Sequence, residues 1–201
     1  MFISIRTYDG ITDMNELIQR GKAGLTPLIR AQPGFHAYYF ADCGNGSGRS
    51  VSCFDTKEHA VAAYEAIRAW LQDNLSHLVK SPPTISGGIN RQDFAIPTQV
   101  PEDAWVSFST TKVPDPPSAA TQQQARETIL HEVVNDPKMM GLYIFRDEGD
   151  ITNMAGAAFM ASEADAKRLN ARTWELMQER MPQTYPNAPV FTLGKLAVVI
   201  Q

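Results

Sequence analysis

The stretch Pro33-Gly34-Phe35-His36-Ala37-Tyr38-Tyr39 recurs at a constant offset as Pro137-Lys138-Met139-Met140-Gly141-Leu142-Tyr143, and this pair decides the fold. In each copy a proline ends a helical pattern, and an apolar, aromatic run then opens a strand. Upstream, Phe2-Ile3-Ser4-Ile5 is answered by Trp105-Val106-Ser107-Phe108. The helical spacing of Met14, Leu17, Ile18, Leu25, Leu28 and Ile29 is answered over 124–134 by Ala125, Ile129, Leu130, Val133 and Val134. Downstream, the turn Gly44-Asn45-Gly46-Ser47-Gly48 makes a hairpin with a strand over 49–54, matched by a returning strand over 151–159. Asp55-Thr56-Lys57-Glu58 opens a second helix with a stripe of Val61, Tyr64, Ile67, Leu71, Leu75 and Leu78, and Ser162 with Asp165 opens its counterpart. Trp70 and Trp174 are aligned late in these helices, and strands over 84–89 and 190–200 close the two copies.

The order strand, helix, strand, strand, helix, strand thus occurs twice, which predicts an α+β chain of two units over 1–97 and 98–201. The connection over 94–103 carries two prolines and no periodicity. Pro27, lacking the N–H of the helical ladder, should distort the end of the first helix. Each unit forms a four-stranded antiparallel sheet with both helices on one face. Phe2, Ile3 and Ile5 cannot all point at those helices, so the opposite face also needs cover. Two sheets packed face to face supply it, and the connection raises the effective concentration of one for the other.

Composition narrows the partners. The 201 residues carry a formal charge of -4 and are 43% hydrophobic, ordinary for a globular protein with a substantial core. Without a basic stripe to neutralise phosphates, nucleic acid is not an expected partner. No apolar stretch approaches the roughly 20 residues of a membrane helix, and the start lacks signal-peptide character, so a cytoplasmic protein without membrane association is expected. Cys43 and Cys53 flank the glycine turn; with the turn centred near Gly46, Cys43 faces Arg49 and Cys53 faces Tyr39, too far along the ladder for a disulfide. No ligand spacing for a metal appears.

The strand start over 2–6, the helix end Leu25-Thr26-Pro27-Leu28-Ile29-Arg30, the turn Pro33-Gly34-Phe35 and the tryptophan late in the second helix together resemble the antibiotic biosynthesis monooxygenase-like family. That family belongs to the dimeric α+β barrel superfamily. The resemblance implies two tandem ferredoxin-like βαββαβ units forming an intramolecular dimeric α+β barrel. It implies a cofactor-independent monooxygenase acting on a small aromatic or polyketide-like compound, or a non-enzymatic small-ligand protein, with further self-association open. A third implication is a haem-binding or haem-degrading protein. Haem-degrading relatives use an Asn on the first strand, which this chain lacks, and His131 is the available match for the helical haem ligand of chlorite dismutase-like relatives.

The expected site lies between sheet and helices of the first unit. Trp70, Asn74 and His77 share one face of the second helix if that helix persists to His77. Since strand neighbours alternate faces, His36 and Tyr38 point one way and Tyr39 the other. His36, His77 and Trp70 are the catalytic candidates, the imidazoles as bases, while Arg6, Tyr38 and Asn74 would hold an anionic or phenolic substrate. Each also has a purely structural reading: Trp70 packed on the sheet, Asn74 and His77 a solvated helix end, and Arg6 a rim residue in water. His59 and His131 read as surface residues. The matching face of the second unit, Asn170, Trp174 and Gln178, has no histidine, so function is expected in the first unit.

Overall fold

A computed structural model of the chain describes residues 1–91, 95–113 and 117–201. Phe94, the first residue of the expected connection, lies outside the described residues. The elements run β1 (Phe2–Tyr8), a helix in three segments, β2 (Phe35–Gly44), β3 (Ser47–Phe54), α3 (Lys57–Leu75) and β4 (Thr84–Ile89) in the first repeat. The three segments are α1 (Met14–Arg20), a π-helical turn (Gly21–Leu25) and α2 (Thr26–Arg30). The second repeat runs β5 (Trp105–Lys112), α4 (Ala119–Ala125), a π-helical turn (Arg126–Leu130), α5 (His131–Val134), β6 (Met139–Arg146), β7 (Asn153–Met160), α6 (Glu163–Arg180) and β8 (Val190–Ile200). The first helix of the second repeat thus begins earlier than the apolar spacing indicates, because Ser118 caps it by accepting from the Thr121 N–H.

The chain folds into two compact units. The first comprises 1–89, 101–103 and 194–201; the second comprises 90–100 and 104–193. In the first unit the strands lie in the order β4, β1, β3, β2, β8, all antiparallel neighbours. By sequence β8 is the fourth strand of the second repeat. Its residues from Gly194 onward nevertheless belong to the first unit, where Ile200 pairs with Tyr38 and Lys195 with Asp42. In the second unit β7 lies between β5 and β6.

Each long helix is started by a hydroxyl cap. Thr56 accepts from the His59 N–H and Ser162 from the Asp165 N–H. Strands β3 and β7 run into these caps without insertion, so the caps put the helices in register. Counted from them, Trp70 is the fourteenth residue after Thr56 and Trp174 the twelfth after Ser162, so the two tryptophans are not structural equivalents. The apparent alignment followed the offset of the preceding strand, and the second repeat's β-hairpin is longer by two residues, which changes it.

Both repeats place a π-helical turn at the same point of their first helix. The second has no proline between Arg126 and Val134, so Pro27 does not cause the distortion. It belongs to the repeated architecture, and Pro27 is tolerated because it falls in the first turn of α2.

Both faces of the first unit's sheet are buried, as expected for strands apolar on both sides. Ile3, Val51, Cys53, Tyr39 and Ala41 are buried on one face, and Phe2, Phe54, Tyr8, Tyr38 and Phe40 on the other, against helices. Both cysteines are free. Their cross-strand positions differ from expectation: Ala41, not Cys43, faces Arg49, and Ala37, not Tyr39, faces Cys53. The turn is tighter than a centre at Gly46 allows, with Gly44 pairing Ser47, and a bulge near Asp42 adds a further offset.

Candidate functional site

A cavity lies between the sheet and the helices of the first unit. Tyr8, Tyr38, Phe40, Val198 and Ile200 rise from the strands, Leu17, Gly21, Leu25 and Thr26 from the first helix, and Leu71 and Leu75 from α3. This slot has a volume of about 500 Å³ with its open mouth included, and its lining is apolar except for two phenols and one threonine, which suits an apolar ligand.

The polar groups collect at one end of this space and come from neighbouring strands. In register, Arg6 pairs with Ser50 and Ser4 with Ser52 across β1 and β3, while Tyr38 pairs with Ser52 across β2 and β3. Because side chains alternate, Ser4, Arg6, Tyr8, Ser50, Ser52 and Tyr38 share the helix-facing side. Arg6 is only 2% exposed. Its Nη1 donates to Ser52 Oγ at 2.7 Å, its Nε has no partner, and its guanidinium lies over the Tyr64 ring. Among the described residues no carboxylate pairs with it. Burial raises the phenol pKa of Tyr8 and of Tyr38, and the Arg6 charge opposes the rise in both. Both phenols therefore stay protonated near neutral pH and act as donors. Ser50 Oγ is buried beside both phenols yet makes no well-formed hydrogen bond. Ser50 is nonetheless the hydrogen-bonding neighbour of both phenol hydroxyls, and like the Arg6 charge it opposes the rise that burial causes.

Of this set the second repeat keeps only the serine of its first strand, Ser107 in place of Ser4. The strand registers place Ser109 where the first repeat has Arg6, Thr111 for Tyr8, Leu142 for Tyr38, Gly156 for Ser50 and Ala158 for Ser52. The corresponding layer of the second unit is an apolar cluster including Leu142, Ala158, Met160, Leu176, Met181 and Tyr185. The fold does not require the polar set.

The structure distributes the expected site residues unevenly. Tyr38 lines the cavity and Arg6 lies behind it, buried rather than at a rim. His36 does not share Tyr38's face. A register shift between Phe35 and Ala37 breaks the alternation, and His36 turns outward, its side chain 44% exposed, with Nε2 2.6 Å from Asp55 Oδ1. The same shift recurs between Met139 and Gly141. α3 ends at Leu75, so His77 falls in the following turn, its side chain 54% exposed and Nε2 3.3 Å from Glu16 Oε1. Asn74 is exposed, its amide donating to the Trp70 carbonyl, and its own carbonyl accepts from Arg20. Trp70 packs against the cavity's hydrophobic cluster, with its ring filling the space beside Gly24. None of His36, His77, Trp70 and Asn74 lines the cavity. His131 is exposed, near Asn135. His59 is half-exposed neither in the cavity nor free of the fold: its buried Nδ1 abuts Gly34.

Sequence reading missed Tyr8, Ser50, Ser52 and the β8 residues Val198 and Ile200. Tyr8 and the serines were legible as same-face positions once the β1–β3 register was known. The β8 wall had no local signal, since those residues lie far along the chain.

No family model matches the chain, and no curated protein does. Solved structures do. A provisionally assigned monooxygenase from Fusobacterium nucleatum superposes with a TM-score of 0.77 at 5% identity, covering 98% of this chain and 93% of that one. A provisionally assigned monooxygenase from Lactobacillus acidophilus gives 0.73 at 10% identity, covering 100% and 95%. An anthrone oxidase-like protein gives 0.63 at 10% identity, covering 99% and 92%. At these identities the likeness shows the fold: the chain has the α+β fold of the dimeric α+β barrel proteins, with two ferredoxin-like repeats in one polypeptide.

Proposed function

We propose that the first unit binds a small aromatic or polyketide-like compound in its cavity and acts on it as a monooxygenase without a resident cofactor. The observation that carries this reading is the apolar slot with two protonated phenols in its lining, both of which the second repeat replaces. A fold shared with provisionally assigned monooxygenases and an anthrone oxidase-like protein supports it. An imidazole base is not part of it, because His36 and His77 face outward. The chemistry then depends on a substrate acidic enough to ionise without one. Such a substrate reduces dioxygen itself, while the protein orients it, donates hydrogen bonds to its oxygen and keeps water out.

Anthrone is a suitable probe, since its oxidation to anthraquinone consumes one dioxygen and releases one water. Oxygen uptake matched to quinone formation, undiminished after exhaustive chelation and dialysis, is the expected result. A panel of anthrones and quinols giving no uptake above the uncatalysed rate would sink the reading. The outward histidines favour a second one, a ligand-binding protein without turnover, which that panel would show as saturable binding with no oxygen consumed.

A further inference from the structure

We propose that the cavity takes its ligand as an anion: an apolar phenol or enol whose single ionised oxygen accepts from the Tyr8 and Tyr38 hydroxyls, with the Arg6 charge behind them. This rests on the cavity being the binding site, but not on oxygen chemistry. Three observations converge. Arg6 is fully buried with no carboxylate paired to it among the described residues, and removing a guanidinium from water without a counter-charge is costly. Its Nε and the neighbouring Ser50 Oγ make no well-formed hydrogen bond, although buried polar groups are nearly always paired. Two phenols of the slot's lining feel the Arg6 charge and share a single hydrogen-bonding neighbour, Ser50. One negative charge at the phenol end would compensate the cation and occupy both donors.

The slot's apolar walls specify the rest of the ligand. With two phenols and Thr26 as the polar groups of the lining, a dianion or a polyhydroxylated molecule would leave polar atoms unpaired against Leu17, Leu71 and Leu75. The ligand's proton goes to solvent before or during binding, since the phenols stay protonated and no base lines the slot among the described residues. Arg6 touches the phenols' field rather than the ligand, and so acts as a positioning residue.

The test uses the full chain and 4-nitrophenol, whose ionised form has its own absorption band, with 4-nitroanisole as the neutral counterpart. The protein should bind nitrophenolate in preference to nitroanisole and shift the dye's apparent pKa downward. A charged hydrogen bond contributes about 1.5–3 kcal/mol, so R6M should weaken nitrophenolate binding about 10- to 100-fold and leave nitroanisole unchanged. Y8F/Y38F, which keeps the packing, should abolish the pKa shift. No binding of 4-nitrophenol, equal affinity for the two dyes, or an R6M protein that binds nitrophenolate as tightly as the parent overturns the proposal. Tighter competition by octanoate than by any phenol also overturns it, in favour of a carboxylate. Arg6-dependent phenolate binding without oxygen uptake would uphold this proposal and defeat the monooxygenase reading; the reverse pattern would do the opposite.

Discussion

The Arg6 guanidinium lies 5.0 Å from the centre of the Tyr64 ring, so a strand residue and a helix residue share a cation–π contact inside the first unit. This contact and the bond to Ser52 are the recorded direct partners of a nearly inaccessible charge. They are weaker compensation than a carboxylate, and the balance of desolvation against pairing predicts a variant that gains stability while losing function.

Arg6→Met should raise the unfolding free energy by about 1–3 kcal/mol, because an apolar chain of similar length removes the buried charge. Urea denaturation of the two proteins checks it. A lowered midpoint would mean that Tyr64 and Ser52 compensate the guanidinium fully.

Gly21 lines the cavity, has ordinary helical φ, and a Cβ there would meet nothing within 4 Å. Gly21→Ala should therefore stabilise by about 1 kcal/mol through helix propensity alone. Gly21→Leu should keep that gain while filling the slot, so that dye and anthrone binding are lost without loss of fold. Retained binding in Gly21→Leu would place the ligand elsewhere.

His36→Ala and His77→Ala, singly and together, should leave ligand binding and any oxygen uptake unchanged, since each imidazole is paired to a surface carboxylate outside the cavity. A loss of turnover with binding intact would restore one of them as the base.

Asp150 accepts from Lys112 Nζ at 2.7 Å and from the Thr152 hydroxyl and N–H, which hold its carboxyl down to about 2. A depressed carboxyl stabilises the folded loop above the unfolded pKa of roughly 4, and the effect fades as pH falls towards 2. Amide exchange of residues 147–153 should accelerate over that window. Lys112→Met should move the onset upward, and an unshifted Asp150 titration would refute the pairing.

Deleting residues 194–201 removes from the first unit the strand paired to β2 and two walls of the cavity, Val198 and Ile200. The truncated protein should lose ligand binding and expose β2. A truncation that still binds the dyes would show that β8 is dispensable to the site.

Much of the fold was legible in one dimension. Alternation marked β1 to the residue, the Pro82-Pro83 break marked the start of β4, the hydroxyl caps marked both long helices, and the repeated Pro33 and Pro137 segments disclosed the duplication. These signals are local, because they depend on side-chain periodicity and on backbone groups within a few residues. The site was only half legible. Arg6 and Tyr38 are strand residues whose facing follows from regular alternation, whereas His36 sits on a bulge and His77 beyond a helix end, and both irregularities turn a side chain away from where its spacing puts it. By itself the sequence determined two α+β repeats and the concentration of aromatic and polar residues in the first. The tertiary structure alone decided which of those residues meet, that Arg6 is buried with no counter-charge among the described residues, and that the last strand of the second repeat walls the first unit's cavity. Cross-strand register and burial arise from contacts between residues far apart in the chain, and no local pattern encodes them.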